Sequence, residues 1–333
     1  MSCHLLIVSH DELGVIFDGL VDPLHPAVAV DLSSTAKGLR TPLTVALQTL
    51  KQQHETVRAL CNKMHTSFET VRRGDTISWE RRGASLRTPA DMLDIRPDFP
   101  REGARYRLSA DEMATLGLMI RTNGLPRLRW LWLFSNGFGD TGLQALCEGL
   151  VCGAPSLQQL GLGGNQISPA GAATLATAFG KGACRRLVSL NLGFNCLGKQ
   201  GVTALTAPLR KLPLLHALNL NGNEIGDEGV AALLAELGKD DFKKLRELRL
   251  DDNELTNETI DTLTCVLDSG ALPNMRGWEC TTVTVKDNAI SDDRLRPLYQ
   301  NIASRGRIPL STEIVEKGTN IGGACTSQLG LFI

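Results

Sequence analysis

Leucines recur along the second half of the chain at fixed offsets, and the polar residues between them recur too. In Leu215-His216-Ala217-Leu218-Asn219-Leu220-Asn221-Gly222-Asn223-Glu224-Ile225, apolar residues hold the first, fourth, sixth and eleventh places and an Asn the ninth. The same spelling starts at Leu128, Leu157, Leu187 and Leu245, and in weakened form at Cys280, so successive starts lie 29, 30, 28, 30 and 35 residues apart. A unit of this length cannot bury its apolar face alone and must stack on its neighbours. The fourth and sixth residues share one face of a short extended segment, which predicts a parallel strand with its leucines inward. Leu146, Leu175, Leu205, Leu233 and Leu263 follow at a common offset and predict a helix laid on that strand. The expected fold of residues 128–302 is an α/β solenoid, with parallel strands on the concave face and helices on the convex face.

Each recurring letter has a physical task. The ninth residues are Asn136, Asn165, Asn195, Asn223, Asn253 and Asn288. They stand where the chain turns out of the strand, in buried backbone with no ladder partner. An amide offers two donors and an acceptor, so stacked Asn side chains can satisfy that turn. The eleventh residues (Phe138, Ile167, Leu197, Ile225, Leu255, Ile290) close the core below, and Gly142, Gly171, Gly201 and Gly229 mark the crowded helix start.

This spelling resembles the leucine-rich repeat. Units of 28–30 residues resemble its long class, found in ribonuclease inhibitor, in nucleotide-binding innate receptors and in the GTPase activator of Ran. The resemblance spans about 175 residues. It implies a protein that works by presenting a surface.

The flanks differ. Residues 1–70 are expected to be helical. Ser9 can cap a helix with Glu12 as its capping-box partner, and Leu13, Ile16, Phe17 and Leu20 follow at helical spacing until Pro23. Residues 9–40 resemble the F-box, although the Leu-Pro opening and the late Cys-Arg-x-Trp are missing. That resemblance implies docking of Leu13, Ile16, Phe17, Leu20 and Pro23 on the adaptor of a cullin ubiquitin ligase. The alternative is a helical cap for the solenoid. Thr41 to Met64 reads as one long helix. Residues 71–127 read as a degenerate first repeat, with its strand at Ile77 to Gly83 and its helix at Ser109 to Arg121. Between them, 84–107, with Pro89, Pro97 and Pro100, reads as an inserted and largely disordered loop. Residues 303–333 show no repeat and are expected to cap or trail from the last one.

Composition narrows the functional classes. Charge is balanced, with 35 basic and 36 acidic residues, and aromatics are 5%. Both point away from nucleic acid and from a polybasic membrane anchor. No run of 18 apolar residues occurs and the start lacks the basic flank of a signal peptide, so no membrane association is expected. The nine cysteines show no Cys-x-x-Cys, as in an intracellular protein, cytoplasmic or nuclear, with reduced thiols. No catalytic constellation is found. The histidines (4, 10, 25, 54, 65, 216) have no ligand spacing, and Gly161-Leu162-Gly163-Gly164 lacks the Gly-Lys-Ser/Thr of a phosphate loop. Asp251-Asp252-Asn253-Glu254 contains a ninth-position Asn and is read as repeat rather than Ca²⁺ loop. Neither enzyme, cofactor nor metal is expected.

Function is therefore expected on the concave face, at the third, fifth, seventh and eighth places of the repeats. The candidate partner-binding residues are Trp130, Trp132 and Phe134 at one end, then Gln159, Asn191, Phe194, Asn219 and Asn221. Glu247, Arg249, Asp251 and Lys286 form the far end. One end is aromatic, the middle small and amide-rich, the other charged. The expected partner is a protein, of unknown stoichiometry. The sharper expectation is a substrate-recruiting subunit of a ubiquitin ligase. The alternatives are a GTPase-activating regulator resembling the Ran activator, or an innate-receptor-like sensor.

Overall fold

A computed structural model describes residues 44–63, 77–81, 84–88, 92–94, 107–122, 125, 128–238, 241–274 and 282–304. Helix α1 (Thr44–Lys63) comes first, then strands β1 (Ile77–Arg81), β2 (Ala84–Thr88) and β3 (Met92–Asp94), and helix α2 (Ala110–Arg121). Strand and helix then alternate through β4 (Trp130–Trp132), α3 (Gly139–Gly153), β5 (Gln159–Gly161), α4 (Pro169–Gly180), β6 (Ser189–Asn191), α5 (Gly198–Arg210), β7 (Ala217–Asn219) and α6 (Gly226–Leu234). The series ends with β8 (Glu247–Arg249), α7 (Asn257–Asp268), β9 (Thr282–Thr284) and α8 (Asp292–Ser304).

Strands β3 to β9 form one parallel seven-stranded sheet in chain order. Its register is that of the repeat. Leu131, Leu160, Leu190, Leu218, Leu248 and Val283 pair across successive strands. All six are at most 4% exposed, as are the sixth-position residues Leu133, Leu162, Leu192, Leu220, Leu250 and Val285. Each strand is three residues long, too short to be stable alone, and draws its stability from the helix packed beneath and the neighbours beside it. The core is one continuous cluster from Val57 to Leu298.

The N-terminal side differs from expectation at two places. Ile77–Arg81 is not the first strand of the solenoid; it pairs antiparallel with Ala84–Thr88, two residues further on, in a separate two-stranded sheet. The alternation of Ile77 and Trp79 suits a hairpin as well as a repeat strand, and a two-residue connection selects the hairpin. The strand that precedes β4 is Met92–Asp94, in register with Trp130–Trp132. Residues 84–88 and 92–94, expected within a disordered insertion, are thus strands. Helix α2 takes Ser109 as N-cap, with a complete capping box to Glu112, and α1 lies against it with Val57 and Leu60 in the common core. The F-box-like segment 9–40, with Leu13, Ile16, Phe17, Leu20 and Pro23, and the tail 305–333 lie outside the described residues.

Helices α2 and α3 approach backbone to backbone. A Cβ on Gly149 would stand 2.4 Å from the Gly117 carbonyl oxygen, and one on Gly153 would stand 1.8 Å from that of Ile120. The first repeat is welded to the preceding unit through these glycines.

Candidate functional site

The edge at which the strands end is built by the ninth-position asparagines. Asn165 Oδ1 accepts from the backbone N–H groups of Asn136 and Gly137, each at 2.9 Å, and its Nδ2 donates to the carbonyls of Leu133 and Leu162. The same pattern passes from Asn195 to Asn165, from Asn253 to Asn223 and from Asn288 to Asn253. Asn136 extends it to Leu108, ahead of α2. Asn165, Asn223 and Asn253 are fully buried, so this ladder replaces the water that a turn ordinarily uses.

A second ladder was not anticipated from sequence. Asp140, at the thirteenth place of its repeat, accepts from the backbone N–H and hydroxyl of Ser168, the twelfth residue of the next. Asp227 does the same for Thr256 and also accepts from Thr259 Oγ1. Asn257 does it for Ser291. The signal was an acidic or amide residue at place thirteen with Ser or Thr at place twelve one unit later. It went unread because Gly139, Gly198 and Gly226 occupy place twelve elsewhere.

Partial burial would raise the Asp227 carboxyl pKa, but the hydrogen bonds from Thr256 and Thr259 outweigh it and hold the group below the usual carboxylate range. A depressed folded pKa stabilises above the unfolded value of about 4, and that contribution is lost as pH falls through the lower folded value. Asp227→Asn is therefore expected to destabilise at neutral pH, with the gap from wild type narrowing below pH ~4. Urea melts at both pH values check this, and a gap independent of pH would contradict it.

These ladders set the rim of the helix-free face. Across it, Trp132, Gly161, Asn191, Asn219, Arg249 and Thr284 stand side by side on adjacent strands, about 4.8 Å apart. The structure divides the expected site residues into three groups. Trp132 is only 3% exposed, so it is covered where it stands on this face, without joining the continuous core cluster. Asn221 and Asp251 are committed to each other and to the last repeat. Asp251 accepts from Asn221 Nδ2, Thr284 Oγ1 and the Lys286 backbone N–H, while its own N–H donates to Asn221 Oδ1. Glu247 and Arg249 pair within their own strand. Trp130, Phe134, Gln159, Asn191, Asn219 and the Lys286 side chain remain half-buried on the open face.

In the middle of this face are unspent hydrogen-bonding groups. Asn191 Oδ1 accepts from Gly193 N–H and Asn219 Oδ1 from Asn221 N–H, each at 2.9 Å, but neither Nδ2 has a partner among the described residues. The Gln159 amide likewise has none among them. Phe134 lies over the glycines beside it; a Cβ on Gly161 would meet its ring at 2.5 Å.

Phe194 stands apart. It is 66% exposed, the most exposed large apolar side chain among the described residues. It also occupies a left-handed backbone conformation, φ 56°. All six eighth-position residues share that conformation; the others are Ser135, Gly164, Gly222, Asp252 and Asp287. Small and turn-forming residues tolerate it, whereas a bulky one is out of place there.

A shallow depression enclosing only about 10 Å³ is lined by Ser189, Ala217, Asn219, Glu247 and Arg249 among others. It is smaller than the pockets that enclose drug-sized ligands, ~300 Å³ and upward. Elsewhere, burial pushes the thiols of Cys147 and Cys184 up to about 12, which keeps them protonated and unreactive. Among the described residues no helix is long and apolar enough to cross a membrane.

Four stretches, 128–147, 153–176, 183–205 and 211–234, match the family model described as Leucine Rich repeat. Ribonuclease inhibitor of Sus scrofa is 35% identical over 96 residues, which is 29% of this chain and 20% of that protein, so the match spans a fifth of the relative's length. An internalin from Listeria monocytogenes overlays 63% of this chain and 60% of its own, at 20% identity and a TM-score of 0.31.

Proposed function

We propose that the chain, a leucine-rich-repeat protein of the ribonuclease-inhibitor-like class, is a scaffold that holds a protein partner on its helix-free face, with Phe194 as the anchor. Phe194 carries this assignment. An exposed phenyl forfeits the gain of burial, and a left-handed backbone costs a bulky residue about 1–2 kcal/mol. Neither expense serves the repeat, since Gly, Ser or Asp does the same structural work at the equivalent places. A partner that buries the ring recovers the loss, as aromatic anchors do at interface centres. The free amides of Asn191 and Asn219, and that of Gln159 further along the same face, suit backbone carbonyls of such a partner. The five free described cysteines support an intracellular setting.

The finer proposal is a substrate-recruiting subunit of a ubiquitin ligase, in which residues 9–40 dock on the adaptor and the repeats take the substrate. Its support is the F-box-like spacing of Leu13, Ile16, Phe17 and Leu20 ahead of the repeats. One affinity-capture experiment separates the two levels. Phe194→Ser is expected to weaken a captured partner by about 30-fold, the loss typical of an anchor residue, while retaining any adaptor. Ile16→Asp with Phe17→Asp is expected to do the reverse. Wild-type chain that retains no adaptor rules out the ligase proposal, and a partner indifferent to Phe194→Ser rules out the anchor. A ribonuclease, the protein in the relative's name, is the first partner to try. The GTPase-activator alternative rests on repeat class, and accelerated GTP hydrolysis by a small GTPase would favour it instead.

A further inference from the structure

The near-neutral total charge conceals a segregated one. In a parallel sheet with helical crossovers, every segment entering a strand lies on one edge and every segment leaving lies on the other. The entering edge carries Lys181, Arg185 and Arg186 before β6, and Lys244 and Arg246 before β8, against two exposed acidic residues there, Glu236 and Asp268. All five cations are exposed and, among the described residues, none has an ion pair or side-chain hydrogen bond. Between them, before β7, Lys211 is paired with the buried Asp241 at 2.6 Å. The leaving edge carries Glu224, Asp252, Glu254 and Asp287 in its turns.

Helix dipoles account for part of this polarity. All the repeat helices run the same way, and a cation such as Lys181 at the end of α4 complements the carbonyls there. That effect fades within one helical turn, and Arg185, Arg186, Lys244 and Arg246 lie beyond it, in the loops. Unpaired like charges on two loops of one edge repel one another and contribute nothing to folding. Their arrangement points to an external anion.

We propose that this basic edge, centred on Arg185, Arg186, Lys244 and Arg246, is a second docking site, for an acidic peptide segment of a partner protein. The two charged loops enter strands two apart, about 10 Å, which an extended peptide spans in about three residues. Guanidinium groups grip carboxylates by two parallel hydrogen bonds, so carboxylates on alternate residues of such a segment reach both loops. A nucleic acid fits less well. No large aromatic is exposed on this edge among the described residues, Phe194 standing where the strands end. The loop before β5, Ala154 to Gln158, is uncharged, so the patch does not continue as a track for phosphates.

The test uses the whole chain and fluorescence anisotropy with two labelled probes, octaglutamate and a single-stranded RNA octamer. Octaglutamate is expected to bind, with affinity falling as salt rises from ~50 to ~150 mM. Arg185→Glu/Arg186→Glu/Arg246→Glu is expected to weaken it by at least about tenfold. Glu224→Lys/Glu254→Lys on the opposite edge, and Phe194→Ser, are expected not to weaken it. Should the triple reversal not fold, Arg185→Ser and Arg246→Ser singly are expected to weaken binding by about threefold each. Absent binding by wild type, binding indifferent to these substitutions, or tighter binding of the RNA would overturn the proposal.

Discussion

Asn165→Ala is expected to lower the unfolding free energy by about 4 kcal/mol, seen as an earlier urea midpoint. The side chain is fully buried, accepts from two backbone N–H groups and donates to the carbonyls of Leu133 and Leu162. Removing it orphans the buried N–H of Asn136 and the half-buried N–H of Gly137, and takes a donor from both carbonyls. Each buried group left unsatisfied costs about 1–3 kcal/mol. Asn288→Ala is the comparison. Asn288 accepts from Asn253 and Leu255 N–H in the same way but is half-buried at the end of the ladder, where solvent can substitute. Its loss is expected to be about 1 kcal/mol. Equal losses at the two positions would contradict the ladder as the source of stability.

Gly149→Val is expected to destabilise by about 3 kcal/mol through a different cause. The first atom of any side chain at Gly149 would lie 2.4 Å from the Gly117 carbonyl oxygen and 2.8 Å from its Cα. Both are backbone and cannot rotate away, so α2 and α3 must separate. Overpacking of this kind outweighs the helix propensity gained by replacing glycine, at most about 1 kcal/mol. Gly180→Ala, at the end of α4, would place its Cβ with nothing within 4 Å, and is expected to be neutral within about 0.5 kcal/mol. Thermal melts of the two variants decide it, and a Gly149→Val protein as stable as wild type would refute the close approach.

What the sequence made legible follows the physics of each feature. The inward leucines and the asparagine ladder were readable because one task recurs at one spacing, so Leu131 to Val283 and Asn136 to Asn288 align without any structure. The second ladder was missed because its letters are interrupted by glycine. The edge strand was misplaced because Ile77 and Trp79 alternate as well as any repeat strand, and only pairing distinguishes a hairpin from a solenoid rung. Within the candidate face, periodicity says which residues leave the core but not what covers or holds them. Trp132 has the right place and is buried; Asp251 and Asn221 have the right places and are spent on each other. Phe194 shares its left-handed backbone with its five counterparts, and only its bulk, exposed at a place the others fill with small or turn-forming residues, sets it apart.

The most direct test of a partner on the helix-free face is site-specific photo-crosslinking in cells, with benzoylphenylalanine placed at Phe194 or at Ala207, which is exposed on helix α5. The expected result is one protein crosslinked in high yield from position 194 and not from 207. Crosslinking from 207 alone, or equally from both, would contradict binding on the helix-free face.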